Sequence, residues 1–172
     1  GKFLPADVRG KYEVLQWLMF QMGGVGPMLG QAHHFRIYAP EKIEYAVDRY
    51  TNEAKRLYGV MNTRLAKSKY LGGKAYGIAD IAVFPWLRSW KNQGIDWNDY
   101  PHLRGWFDEI SARPAVKRGV EVLAAAHKPI AVMEHIEALG AVARAVDLPR
   151  SAIARLVFDR IRATNRTVQA IS

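Results

Sequence analysis

The chain has 172 residues, 49% apolar and 24% charged, with a formal charge of +9. These proportions exclude disordered and fibrous classes, and the length allows one domain, or a domain with an appendage, to bury a core without covalent staples. The chain holds no cysteine, which removes disulfides, thiolate zinc sites and a cysteine nucleophile within it. The basic balance admits nucleic acid, anionic membrane or small acidic ligands as partners and selects none of them.

The opening Gly1-Lys2-Phe3-Leu4-Pro5 has no apolar export segment, so a cytoplasmic location is expected. Asp7 is placed to cap a helix running through Tyr12, Leu15, Trp17 and Met19 to a break at Gly23-Gly24. A further turn or two follows at residues 27–31. No charge occurs from Val14 to Ala32, almost the length of a membrane span. Gln16, Gln21, Gln31, the glycines at 23, 24, 26 and 30, and Pro27 would leave a broken helix unsatisfied in lipid, so a buried, bent helix is expected.

Pro40 sits at a natural helix start. After it, Ile43, Val47, Tyr50, Ala54, Tyr58, Met61 and Leu65 recur at three- and four-residue steps, which predicts one long amphipathic helix. Gly72-Gly73 ends the next loop, and further helices fit 78–91, 102–112 and 115–126. No window alternates as a strand would, so the fold class is all-α. In Tyr76-Gly77-Ile78-Ala79-Asp80-Ile81, Gly77 is the predicted N-cap and Asp80 can reach back to its N–H, with Tyr76 and Ile81 placed for a hydrophobic staple. Physically this marks a helix start and no more.

Composition changes near residue 130. Every aromatic residue except Phe158 precedes it, and Lys128-Pro129 marks the seam. Residues 1–130 are therefore read as one domain and 131–172 as a helical extension of unknown role. Within the extension, Ala143, Leu148 and Ile153 fall roughly where a helix-turn-helix needs small and apolar residues, with Arg150, Arg155, Arg160, Arg162 and Arg166 available for phosphates. Asp147 stands where the turn often has glycine, and the acids Glu134, Glu137, Asp147 and Asp159 dilute the charge, so a plain amphipathic helix pair is preferred to a DNA reader.

A family resemblance rests on Trp17-Leu18-Met19-Phe20-Gln21-Met22-Gly23-Gly24-Val25-Gly26-Pro27-Met28 and on Gly30-Gln31-Ala32-His33-His34-Phe35. It continues through Ala39-Pro40-Glu41, Arg49-Tyr50, Arg56-Leu57-Tyr58, Tyr70-Leu71-Gly72-Gly73, Ala79-Asp80-Ile81-Ala82, Pro85-Trp86 and Arg113-Pro114-Ala115-Val116. Residues 1–126 thus resemble the C-terminal helical domain of a bacterial glutathione transferase of the nu-like, disulfide-bond oxidoreductase branch. Two departures are Gly77, where the family usually caps with Ser or Thr, and Ala32, where some relatives have Asn. The resemblance implies an all-α bundle of the glutathione-transferase C-terminal type, preceded in the family by a thioredoxin-like domain that holds most of the glutathione site.

It also implies glutathione as co-substrate with no bound cofactor, a hydrophobic electrophile or a disulfide as second substrate, and a homodimer or other self-association. No membrane partner is implied. Arg49 matches a family arginine that reaches toward glutathione, and its fork of donors suits a carboxylate; by its position alone it is equally a solvated arginine. Trp17, Phe20, Met22 and Met28 are candidates for the apolar pocket of the second substrate, against the alternative that they are core. The adjacent His33-His34 pair points to different helix sides and is not read as a metal site. No catalytic residue is assigned. The expectation is a glutathione-transferase family protein that is inactive as this chain, the alternatives being a non-catalytic helical binding module or fusion remnant, or DNA binding by the extension.

Overall fold

The N-terminal helix begins where a local signal places it: Asp7 is extended, and its carboxylate accepts a hydrogen bond from Gly10 N at 2.8 Å. This helix, α1 (Val8–Phe20), opens the chain's structure, a computed structural model that describes residues 2–122. The boundary near residue 130 and the helix-turn-helix reading of the extension lie outside the described residues. After α1 come α2 (Gly26–His33), α3 (Glu44–Leu65), α4 (Ile78–Leu87), α5 (Pro101–Ala112) and α6 (Pro114–Glu121). Among the described residues there is no strand, only an isolated bridge between Tyr70 and Gly73. No described helix is long and apolar enough to cross a membrane.

The expected break at Gly23-Gly24 does not occur. A π-turn, Gln21–Val25, carries the chain from α1 into α2, and a second, His34–Tyr38, continues beyond α2. The flanking residues Phe20, Val25, Gly26 and His33 all keep right-handed helical dihedrals. Glycine lowers helix propensity without ending a helix by itself. Gly24 lies against Leu57, 3.5 Å from where its own Cβ would stand, so its smallness is used for packing on α3.

α3 starts at Glu44, with Ile43 as its N-cap, four residues later than Pro40 suggested. Ala39, extended at ψ 134°, obeys the restriction that proline imposes on its predecessor. The predicted stripe is buried at Ala54, Tyr58 and Met61, but its first member, Ile43, is 48% exposed.

α4 ends at Leu87 and not at residue 91; single-turn 3₁₀ segments, Trp90–Gln93 and Trp97–Asp99, fill the path to α5. At the start of α4 Asp80 Oδ2 accepts from Gly77 N at 3.0 Å, as the sequence predicts. The staple is absent. Ile81 is 41% exposed, and Tyr76 instead packs edge-on to Tyr70 and Phe3 with the Arg113 guanidinium 3.9 Å from its ring centroid.

α3 packs against α2 and α5, while α4 packs against α1, α2 and α5. Leu29, Tyr58, Met61, Leu71, Val83, Leu87, Leu103 and Ile110 meet there with no exposed surface. Each buried aliphatic side chain contributes about 1.5–3 kcal/mol. Asp80 is as buried as they are. Its Oδ1 also accepts from Leu71 N at 3.0 Å and from Trp106 Nε1 at 2.9 Å, so one carboxylate ties α4 to the preceding loop and to α5. Burial pushes this carboxyl above its ordinary value and the N–H donors pull it down; the balance is upward.

Candidate functional site

Arg49 and Arg56 stand on the outward side of α3, two turns apart, because the buried face of that helix runs through Thr51, Ala54, Leu57, Tyr58 and Met61. With Met28 of α2 and with Tyr50, Asn52 and Glu53 they line an open groove of about 520 Å³. Packing of α2 on α3 brings Met28 to this face.

The charged residues of the groove are not equivalent. Arg56 grips Glu53 with two bonds, Nε to Oε2 and Nη2 to Oε1, both 2.8 Å. That pairing, with a smaller contribution from the positive charge of Arg49, holds the Glu53 carboxyl below its usual range. Arg49 makes no hydrogen bond or ion pair among the described residues. A guanidinium left with its full donor set beside an ionised, fixed carboxylate can accept an anionic group from solution.

The second π-turn steadies this stretch of α3. Phe35 stacks on Tyr50 with ring centroids 5.3 Å apart and planes 5° from parallel. Arg36 donates to Thr51 Oγ1 at 3.2 Å and to Asn92 O at 3.0 Å. Tyr50 and Thr51, immediately after Arg49, are thereby tied to two other elements.

The four apolar candidates separate. Met28 lines the groove with Arg49. Trp17 and Phe20 are half-buried, meet edge-on at 5.3 Å and pack against the core, with the Arg64 guanidinium 5.5 Å from the Trp17 ring. Met22, in the first π-turn, is 60% exposed. The structure therefore joins Arg49 to Met28 and leaves the other three outside that groove. Tyr50, Asn52, Glu53 and Arg56 were missed as site residues, although the three-residue Glu53–Arg56 spacing beside Arg49 was a readable signal.

A larger groove, about 1100 Å³, lies between residues 2–14 and 72–77 and contains none of the candidate site residues. Its acids are engaged: Asp7 caps α1, and Glu13 pairs with Arg64 at 2.8 Å. His33 Nε2 lies 3.4 Å from Ser89 O, whereas the His34 ring meets Phe35 edge-on. No group of three or more His, Asp or Glu among the described residues could hold a metal ion.

Comparison with known proteins gives this arrangement a context. The family described as "Glutathione S-transferase, C-terminal domain" matches residues 24–114. The disulfide-bond oxidoreductase YfcG of Escherichia coli is 50% identical over 115 residues, covering 67% of this chain and 54% of that protein. A second Escherichia coli disulfide-bond oxidoreductase, YghU, is 43% identical over 127 residues, covering 69% and 44%. A Burkholderia graminis glutathione transferase, solved with two glutathione molecules per subunit, superposes with a TM-score of 0.65 at 40% identity, covering 70% of this chain and 53% of that one. The chain spans about half the length of the curated relatives it matches.

Proposed function

The chain belongs to the glutathione S-transferase family, through that family's C-terminal domain, and from this premise we propose that it provides the helical part of a glutathione-dependent activity. The reaction is conjugation to a hydrophobic electrophile or reduction of a disulfide, carried out in the cytoplasm. The single observation that carries the reading is Arg49, exposed and without a partner among the described residues, at the mouth of a groove walled by Met28. In this reading Arg49 receives a carboxylate of the tripeptide. Trp17, Phe20 and Met22 are retained as candidates for the apolar surface met by the second substrate.

Chemistry on the sulfur needs donors that favour the thiolate inside a closed site, and one such donor is commonly worth about a hundredfold or more in rate. The groove on α3 is open, so the 172-residue chain by itself is proposed to be inactive. Binding is also proposed to be weak, because an exposed ion pair contributes only about 0–1 kcal/mol against the ordering of a flexible peptide. A second copy of the chain is a further proposed partner. Val8, Tyr12 and Met19 share one side of α1 and are 72%, 61% and 57% exposed.

Calorimetry with millimolar glutathione tests the reading. The expected result is binding in the millimolar range that Arg49→Ala removes, with no turnover of standard electrophiles. Micromolar binding, or binding untouched by Arg49→Ala, would place the site elsewhere.

A further inference from the structure

We propose that residues 2–5 form a releasable strap that supplies the acceptor Gly77 lacks, so that the first turn of α4 is closed while the strap is docked and loosened when it lifts.

The donors of a helix start carry the argument. The first four N–H groups of a helix have no partner within it, and a serine or threonine at the cap brings a side-chain acceptor for one of them. Gly77 brings none. Asp80 takes the N–H of Gly77 at 3.0 Å, and the next N–H, that of Ile78, donates to the carbonyl of Phe3 at 3.1 Å. Glycine makes room for this approach. A Cβ at position 77 would stand 2.9 Å from Phe3 O, a backbone atom that cannot swing aside as a side chain does. Gly10 of α1 seats the other end of the strap in the same way, since a Cβ there would lie 3.0 Å from Pro5 Cβ.

The hold is light. Lys2, Phe3 and Ala6 are exposed, and Leu4 and Pro5 are partly covered. Besides its carbonyl, Phe3 contributes its ring, edge-on to Tyr76 with centroids 6.0 Å apart. A hydrogen bond and an aromatic edge contact each shift an equilibrium by about tenfold or less. Such a segment belongs to the low-stability end of a fold, which opens before the core does. Lifting it has two effects at once. The Ile78 N–H loses its acceptor, and the groove of about 1100 Å³ loses the wall formed by residues 2–5. From α4 the contact continues inward, because the Trp86 ring lies 3.3 Å and 3.8 Å from where Cβ atoms of Gly26 and Gly30 on α2 would stand. Whatever takes hold of residues 2–5 is therefore felt at α4.

Amide hydrogen exchange followed by NMR on the full 172-residue chain tests the strap. Ile78 reports the strap's bond, Ile81 the first helical bond of α4 (to Gly77 O at 3.1 Å), and the fully buried Leu103 the core. Phe3→Ala removes the ring and keeps the carbonyl, whereas Gly77→Ala sets a methyl group against that carbonyl. In Phe3→Ala, Ile78 and Ile81 are expected to exchange about fivefold faster, the weight of one edge contact, with Leu103 unchanged. Gly77→Ala is expected to accelerate Ile78 further and to leave Phe3→Ala without added effect in the double variant. An Ile78 rate unchanged in either variant overturns the proposal, as does full additivity in the double variant. So does Leu103 accelerating in step with Ile78, which would make the opening global, or Ile81 unmoved while Ile78 accelerates, which would uncouple the strap from α4. If Gly77→Ala does not fold, the three amides of Phe3→Ala decide alone.

Discussion

Replacing Asp80 with alanine removes an acceptor from three buried donors at once: Gly77 N, Leu71 N and Trp106 Nε1, at 3.0, 3.0 and 2.9 Å. A donor left unpaired in the interior costs about 1–3 kcal/mol. Part of that sum is returned, because the variant no longer holds a carboxylate out of water, the effect that pushes its pKa upward. The net loss is expected to be about 3–4 kcal/mol, typical of breaking a buried network and a large share of the stability of one domain. Urea unfolding followed by far-ultraviolet circular dichroism and tryptophan emission measures it. A loss under about 1 kcal/mol would mean that relief of desolvation nearly cancels the three bonds, and would refute the expected magnitude. The pH dependence has a definite sign. Because the native carboxyl lies above its ordinary 3.8, the native state binds the proton more tightly than the unfolded chain. The residue's contribution is then complete below 3.8 and declines as pH rises through the native pKa. The gap between the unaltered chain and Asp80→Ala should narrow over that window; a gap that widens would refute the upward shift.

Gly72→Ala is expected to cost about 1–3 kcal/mol, the usual penalty of overpacking, since a Cβ there would lie 2.6 Å from Val14 Cγ2. Thermal melts of Gly72→Ala with and without Val14→Ala test the cause, because only a steric origin lets the second change restore part of the loss. Sedimentation over a concentration series tests self-association through α1; Met19→Glu and Tyr12→Glu should each shift the chain toward monomer, and a chain already monomeric at high concentration would contradict the proposal.

Features written in neighbouring residues were legible. The Asp7 cap and the reach of Asp80 to Gly77 span three residues each, and both appear as expected. The other two bonds of Asp80, to Leu71 and Trp106, join residues 9 and 26 apart, and no local pattern encodes them. Asn62 is a similar case. Its side chain on α3 accepts from His102 N and Leu103 N at the start of α5, a cap supplied from 40 residues away. The first π-turn was not legible because Gly23-Gly24 reads as a breaker, while the surrounding helix holds both glycines in place. Pro40 misled for a different reason: proline tolerates a helix start without requiring one. For the site, the charge and outward position of Arg49 were readable on α3. Its groove was not, because Met28 reaches it only through the packing of α2 on α3.

The two π-turns on either side of α2 make residue count itself a determinant of the fold. A π-turn winds five residues where an α-helix would need about four, and each residue of an α-helix advances the direction of its side chain by about 100°. Winding the same five residues, Gln21–Val25, as regular α-helix would therefore turn α2 by roughly that angle. Leu29 and Ala32, now fully buried, would swing away from the core, and Met28 away from Arg49. Removing one residue has the opposite outcome, since the four that remain fill about one α-helical turn and α2 keeps its facing. Gly23, where an added Cβ meets nothing within 4 Å, is the position most easily lost or replaced, whereas Gly24 is held small by Leu57. In a lineage of such chains, this stretch could lose one residue with the core of α2 still in register.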